Sequence, residues 1–167
     1  MTGKELYDSA RRVKLICVDV DGTLTDGGMY YSAQGEVMKR FDTRDAMGLA
    51  LIRKIGVALA IITSEDTDIV MARARKLGIE DVFMGVKDKY GCVERLLEKK
   101  NLGWGELAFV GDDVNDHPVL EKAGFSACPS DAAGTTSSIV NYVCKRAGGH
   151  GAVREVCDFI ISAKNAS

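Results

Sequence analysis

The sequence predicts an α/β domain built on a doubly wound parallel sheet, and three observations carry that expectation. Short apolar runs alternate with longer amphipathic segments from Lys14 onward, the pattern of strand–helix units wound onto one sheet. The apolar runs are near-continuous, as in strands covered on both faces. No repeat, low-complexity tract or linker marks a second unit, so residues 1–167 are expected to form one domain.

Taken in order, "KLICVDV" (14–20) is the first core strand. The stretch "GGMYYSAQGEVMKRFDT" (27–43) carries alternating and aromatic residues around Gln34-Gly35 and reads as a β-hairpin turning near Ala33–Gly35. "RDAMGLALIRKIG" (44–56) reads as a helix capped by Thr43 or Asp45 and stopped by Gly56. The second core strand is "VALAIIT" (57–63), followed by a helix through "DTDIVMARARKLG" (66–78) that ends at Gly78. A short strand "DVFMG", the helix "KYGCVERLLEKK" and the strand "ELAFVGDD" continue the alternation. A short helix in "PVLEKAG", a strand in "FSACP", a helix around "AAGTTSSIV" and a strand in "NYVCK" come next. The Gly-rich "AGGHG" then opens a C-terminal tail (about 147–167) whose "GAVREVCDFIISAK" is a closing helix.

Bulk properties narrow the function classes. With 46% apolar and 28% charged residues the chain has the make-up of a soluble globular protein. A net charge of -2 gives no electrostatic case for nucleic acid or an anionic membrane as partner. The lysines of "EKK" near Lys99 read as the solvated end of a helix. "MTGKELYDSARRVK" lacks the apolar core of a signal peptide, and no later run is long enough to span a bilayer. Five cysteines, an odd number with no C-x-x-C pair, fall mostly in apolar segments. They are expected to be reduced core residues of a cytoplasmic protein, and a zinc site would need closer Cys/His spacing.

Four features fall at predicted strand ends, where ligands collect in such sheets. These are Asp19 and Asp21 after the first strand, Thr63-Ser64 after the second, Lys89 beyond "DVFMG", and Asp112 and Asp113 after "AFVG". Carboxylates converging without histidine or cysteine suit a hard cation such as Mg²⁺. The cation would also let two acids as close as Asp19 and Asp21 share one corner. A lysine and a hydroxyl suit phosphoryl oxygens, and an aspartate can itself be the nucleophile of a phosphoryl transfer.

"DVDGTLTDG", "IITS", Lys89 and "GDDVND", in this order, resemble the four motifs of the haloacid dehalogenase superfamily of phosphatases. The resemblance runs from Lys14 to about Ile161 and is nearer to one branch, the small phosphatases of 3-deoxy-ulosonic acid phosphates. These have a hairpin in place of a separate cap domain and a Gly-rich tail. The resemblance implies a homotetramer in which hairpins associate and neighbouring subunits complete each site. It implies hydrolysis of 3-deoxy-D-manno-octulosonate 8-phosphate, a step of lipopolysaccharide sugar synthesis, through an aspartyl phosphate. Asp19 would be the nucleophile and Asp21 the general acid and then base. Mg²⁺ would lie on Asp19, the Asp21 main-chain carbonyl and Asp112, with Asp113 and Asp116 as supporting acids. Thr63 and Lys89 would hold phosphoryl oxygens, with Lys89 also anchoring Asp19.

The second motif departs from the usual threonine–glycine, reading Thr63-Ser64-Glu65. Glu65 with Lys76, eleven residues on and about three turns away if both share a helix, resembles a sister branch. That branch acts on nine-carbon 9-phosphates of the sialic acid type. Arg73 matches a basic residue of both branches and suits a substrate carboxylate. His117 is expected to cap a short helix, and His150, in the glycine stretch, to take no catalytic part. A receiver domain or a regulatory subunit would share the acidic rim but not turnover, and the hairpin has no place in a receiver.

Overall fold

The computed structural model describes residues 2–166. Its main sheet has six parallel strands in the order β5-β4-β1-β6-β7-β8. The strands are β1 (Leu15–Val18), β4 (Ala58–Ile62), β5 (Asp81–Phe83), β6 (Leu107–Val110), β7 (Phe125–Cys128) and β8 (Tyr142–Val143). The chain fills one side of β1 with β4 and β5, then crosses back to β6. The change of direction therefore lies at β1, whose carboxyl end becomes the natural crevice. A separate two-stranded antiparallel sheet, β2 (Tyr30–Ser32) and β3 (Gly35–Met38), stands off as the expected hairpin.

Alternate residues of the central strands feed two cores. Ile16, Val18, Leu59, Ile61, Ala108 and Val110 face one layer, which holds helices α2 (Thr43–Lys54), α3 (Asp68–Leu77) and α7 (Ala152–Asn165). Leu15, Cys17, Ala60, Ile62, Leu107 and Phe109 face the other, against α4 (Lys89–Lys100) and α5 (His117–Leu120). All of these strand residues are buried, which is why the runs show no alternation in sequence. A short helix α6 (Gly134–Ser137) precedes β8. The five cysteines are free and buried. Among the described residues, no helix is long and apolar enough to cross a membrane.

Several local expectations are corrected. An N-terminal helix, α1 (Gly3–Arg12), was not foreseen in the polar opening segment. It starts at a capping box between Thr2 and Glu5. It docks on α7 through Tyr7, whose ring meets Phe159 edge-on at 5.6 Å and whose hydroxyl lies 3.0 Å from Ser162 Oγ. The cap of α2 is Asp42, accepting from Arg44 N at 2.7 Å, and not Thr43 or Asp45. Asp45 is buried instead and accepts from Arg154 N and Gly151 N at the start of α7. Glu65 lies before α3, so Glu65 and Lys76 do not share a helix. Helix α3 is capped by Thr67.

The Gly-rich stretch is tightly placed. A Cβ at Gly148 would lie 1.8 Å from the Gly22 carbonyl oxygen, so only glycine allows this approach to the loop after β1. Gly149 N donates to the Thr23 carbonyl at 3.0 Å and locks the same contact. The residues after it form α7 and enter the core through Val153, Val156, Cys157 and Ile160.

Candidate active site

Parallel pairing of β4, β1 and β6 brings three strand ends together. Asp19 N donates to the Val110 carbonyl at 2.9 Å and extends the ladder one residue past β1, so Asp19 emerges at the rim with its backbone fixed. The chain then turns through Gly22 at φ +79, with Thr25 N returning to the Val20 carbonyl. A cleft of about 310 Å³ opens here, lined by Asp19, Asp21, Thr63, Glu65, Asp112 and Asp113 among others. Gly22 is also a cradle for Asp112, since a Cβ there would sit 2.1 Å from Asp112 Oδ2.

Lys89 opens α4 and is 2% exposed, beneath the cleft and not in its lining. Its Nζ donates to Asp116 Oδ1 at 2.7 Å and lies 2.8 Å from Asp19 Oδ1. Asp116 Oδ2 accepts from Asp112 N at 3.1 Å. Both oxygens of this fully buried carboxylate are thus engaged: Asp116 fixes Lys89 on one side and the Asp112 backbone on the other. Thr63, 1% exposed, accepts from Glu65 N at 3.2 Å and keeps its own hydroxyl proton for a ligand. Asp113 is exposed and caps the turn after β6 by accepting from Val114 N at 2.7 Å.

Three carboxylates meet one ammonium here, and the balance shows in the titration of the group. Burial pushes Asp19 up to about 7, with Asp116 adding to the push and Lys89 opposing it. Burial also raises Asp112 to about 6, helped by Asp116 and then Asp113. Burial works against the Lys89 ammonium, yet Asp19 and Asp116 outweigh it and hold its pKa above the ordinary value. Oxygens of Asp19, Asp112 and Asp116 lie within 4.8 Å of one another. An all-oxygen donor set short of positive charge fits Mg²⁺. With Asp116 committed to Lys89 and to the backbone, Asp19 and Asp112 are the carboxylates left to face a cation.

The remaining candidates separate. Asp21 lines the cleft, but its Oδ1 accepts from Lys39 Nζ at 2.5 Å and its buried Oδ2 has no partner among the described residues. Its side chain is not part of the metal-compatible trio. Arg73 is half-buried on α3, with its guanidinium 5.3 Å from the Phe41 ring centroid and a 3.3 Å bond to the Asp42 carbonyl. Its Nε is buried without a partner among the described residues. Lys76 is exposed in the last turn of α3 and does not line the cleft, whereas Glu65 does. His117 starts α5 and lies 2.9 Å from Thr136 Oγ1, while His150 is exposed. Sequence reasoning missed Lys39, whose only signal is a lone lysine at the end of the hairpin.

No protein-family model matches the chain. It is 39% identical over 160 residues to the 3-deoxy-D-manno-octulosonate 8-phosphate phosphatase KdsC of Escherichia coli K12, covering 96% of this chain and 85% of that protein. The fold superposes with a TM-score of 0.95 on the same phosphatase from Moraxella catarrhalis, solved with magnesium, phosphate and KDO. That pair is 35% identical, over 98% of this chain and 94% of the other. A Legionella pneumophila protein described as a HAD superfamily (subfamily III A) hydrolase also gives a TM-score of 0.95, at 35% identity over 97% and 89% of the two chains. The carboxylate, hydroxyl and lysine rim stands on a fold that these proteins share along nearly its whole length, and the chain belongs to the 3-deoxy-D-manno-octulosonate 8-phosphate phosphatase family of the haloacid dehalogenase superfamily.

Proposed function

We propose that the chain is a Mg²⁺-dependent phosphomonoester hydrolase of 3-deoxy-D-manno-octulosonate 8-phosphate, with Asp19 as nucleophile. The observation that carries the assignment is the pairing of Asp19, in the lining of an acidic cleft, with Lys89 buried beneath it. An oxygen of Asp19 attacks phosphorus, and the bond from phosphorus to the sugar oxygen breaks as Asp21 gives that oxygen a proton. Water then loses a proton to Asp21 and attacks the same phosphorus. The bond to Asp19 breaks, releasing phosphate and restoring both aspartates. Thr63 and Lys89 hold phosphoryl oxygens, and Lys89 keeps Asp19 in line for attack. Asp19, Asp112 and the Asp21 main-chain carbonyl would hold Mg²⁺, which when bound supplies the positive charge that a phosphoryl group needs in this acidic rim.

Arg73 is the candidate for the substrate carboxylate, supported by its partnerless buried Nε. Glu65 is the candidate for selecting among sugars, since it lines the cleft where Lys76 does not. The hairpin supports the homotetramer: Met29, Tyr30, Tyr31, Val37 and Met38 are each 43–65% exposed on it, an apolar surface suited to burial against other copies. Equilibrium sedimentation giving only monomer would overturn that assembly. Free buried cysteines support a reducing, cytoplasmic setting.

The test of function is kcat/KM with Mg²⁺ for the eight-carbon 8-phosphate beside nine-carbon 9-phosphates, with Asp19→Asn in parallel. The eight-carbon substrate should be preferred, and Asp19→Asn should fold and lose nearly all turnover. Preference for a nine-carbon ester would move the chain to the sialic acid type of substrate. Substantial turnover by Asp19→Asn in a clean preparation would remove Asp19 as nucleophile.

A further inference from the structure

The hairpin returns to the sheet through Lys39, and the environment of that lysine is unusual. Its side chain is wholly buried, although lysine is almost never buried without a demand for its charge. The ammonium lies between Asp21 Oδ1 at 2.5 Å and Glu36 Oε1 at 2.8 Å. Burial works against the charged form, but the two carboxylates outweigh it and Lys39 stays an ammonium. The neighbouring residues pin the same leg of the hairpin. Arg40 donates to the Gly149 carbonyl at 2.7 Å and pairs with Asp26 at 3.6 Å, and Phe41 bridges to Thr25.

We propose that Lys39 is the positioning residue for Asp21, so that the hairpin sets the general acid–base of the reaction. The inference rests on the role given to Asp21 above. Lys39 holds the carboxylate through Oδ1, on a residue that lines the cleft. Among the described residues the buried Oδ2 has no protein partner, so the Lys39 contact is what fixes the carboxylate. A carboxylate held in this way cannot swing toward Asp19 or out to solvent, and the direction in which it delivers its proton is set. Lys39 thereby orients the proton transfer without touching substrate.

A leaving-group comparison tests the proposal. Lys39→Met, Asp21→Asn and the unaltered enzyme are compared on an alkyl phosphate (the sugar 8-phosphate) and on 2,4-dinitrophenyl phosphate. The phenolate of the second ester departs without a proton. Lys39→Met should lose about 100-fold in kcat on the alkyl ester, within the range of general acid–base catalysis, with little change in KM. On the dinitrophenyl ester it should still release about one phenolate per site in a rapid burst, followed by slow turnover because water attack needs the same carboxylate. Lys39→Arg, which keeps the cation, should recover part of the alkyl-ester rate. Equal losses on both esters with no burst, or an unaltered alkyl-ester kcat, would overturn the role of Lys39. Asp21→Asn is the separate control: if it shows no leaving-group dependence, the role of Asp21 itself fails. If Lys39→Met does not fold, Glu36→Gln/Lys39→Met removes one of the two stranded acids, and the same burst decides.

Discussion

Gly22→Ala separates backbone strain from damage to the cation site. At φ +79 any L-residue pays for the left-handed conformation, about 1–2 kcal/mol. In a chain of this size that lowers Tm by about 2–8 °C. The new Cβ would lie 2.1 Å from Asp112 Oδ2, against a practical floor of 3.0 Å for Cβ contacts, so the carboxylate must retreat by about 0.9 Å. Asp112 cannot do so freely, because its own N–H is fixed on Asp116. Displacing a ligand or its support in this way costs about 10- to 100-fold in metal affinity. Gly56→Ala is the matched control: φ is +86 and nothing lies within 4 Å of the added Cβ. Urea unfolding should show similar losses for the two variants, while titration calorimetry should show weakened Mg²⁺ binding for Gly22→Ala alone. Mg²⁺ affinity in Gly22→Ala equal to that in Gly56→Ala would refute the claim that Asp112 faces the cation.

Further expectations concern the scaffold. Gly48→Ala in α2 gains up to about 1 kcal/mol of helix propensity, but its Cβ would meet Arg154 Cα at 2.9 Å and force α7 away. Overpacking of about 1–3 kcal/mol should win, and a stabilised variant in urea would contradict this close approach. Asp42 is held down at about 2, chiefly by the Arg44 hydrogen bond, so its contribution is complete above the ordinary carboxylate value and disappears as pH falls through 2. Discounted for the half-exposed Arg44, Asp42→Asn should cost about 1–2 kcal/mol at pH 7. The difference from the unaltered protein should close between pH 4 and pH 2; a gap that persists at pH 2 would exclude the ion pair as its cause.

The fold was legible because burial on both faces leaves a direct trace: "LICV", "ALAII" and "LAFV" are strands whose every residue needs an apolar side chain. The rim was legible for a related reason, since polar residues that interrupt such runs mark where strands leave the core. Helix α1 was not, because "GKELYDSARR" buries only Ser9 and Ala10 fully and shows its packing surface through single residues such as Tyr7. Lys39 was hidden by its setting, as a lysine in a hairpin usually points to water and nothing local announces Asp21 eighteen residues earlier. The geometry between Glu65 and Lys76 was not legible from their spacing, because the turn after β4 delays α3 until Asp68. The cap of α2 is Asp42 and not Thr43 or Asp45, because Asp45 serves the start of a helix 106 residues further on.

The contact of Gly148 and Gly149 with the loop after β1 also sets a schedule for synthesis. The turn that follows Asp19 is seated against backbone made more than 120 residues later. Strand β1 likewise waits for β4 and β6 to flank it. Early segments therefore have no lasting partners while the chain grows, a topology of distant pairings that folds slowly. A nascent or truncated chain ending before Gly148 would carry the acids of the site without the surface that holds their loop.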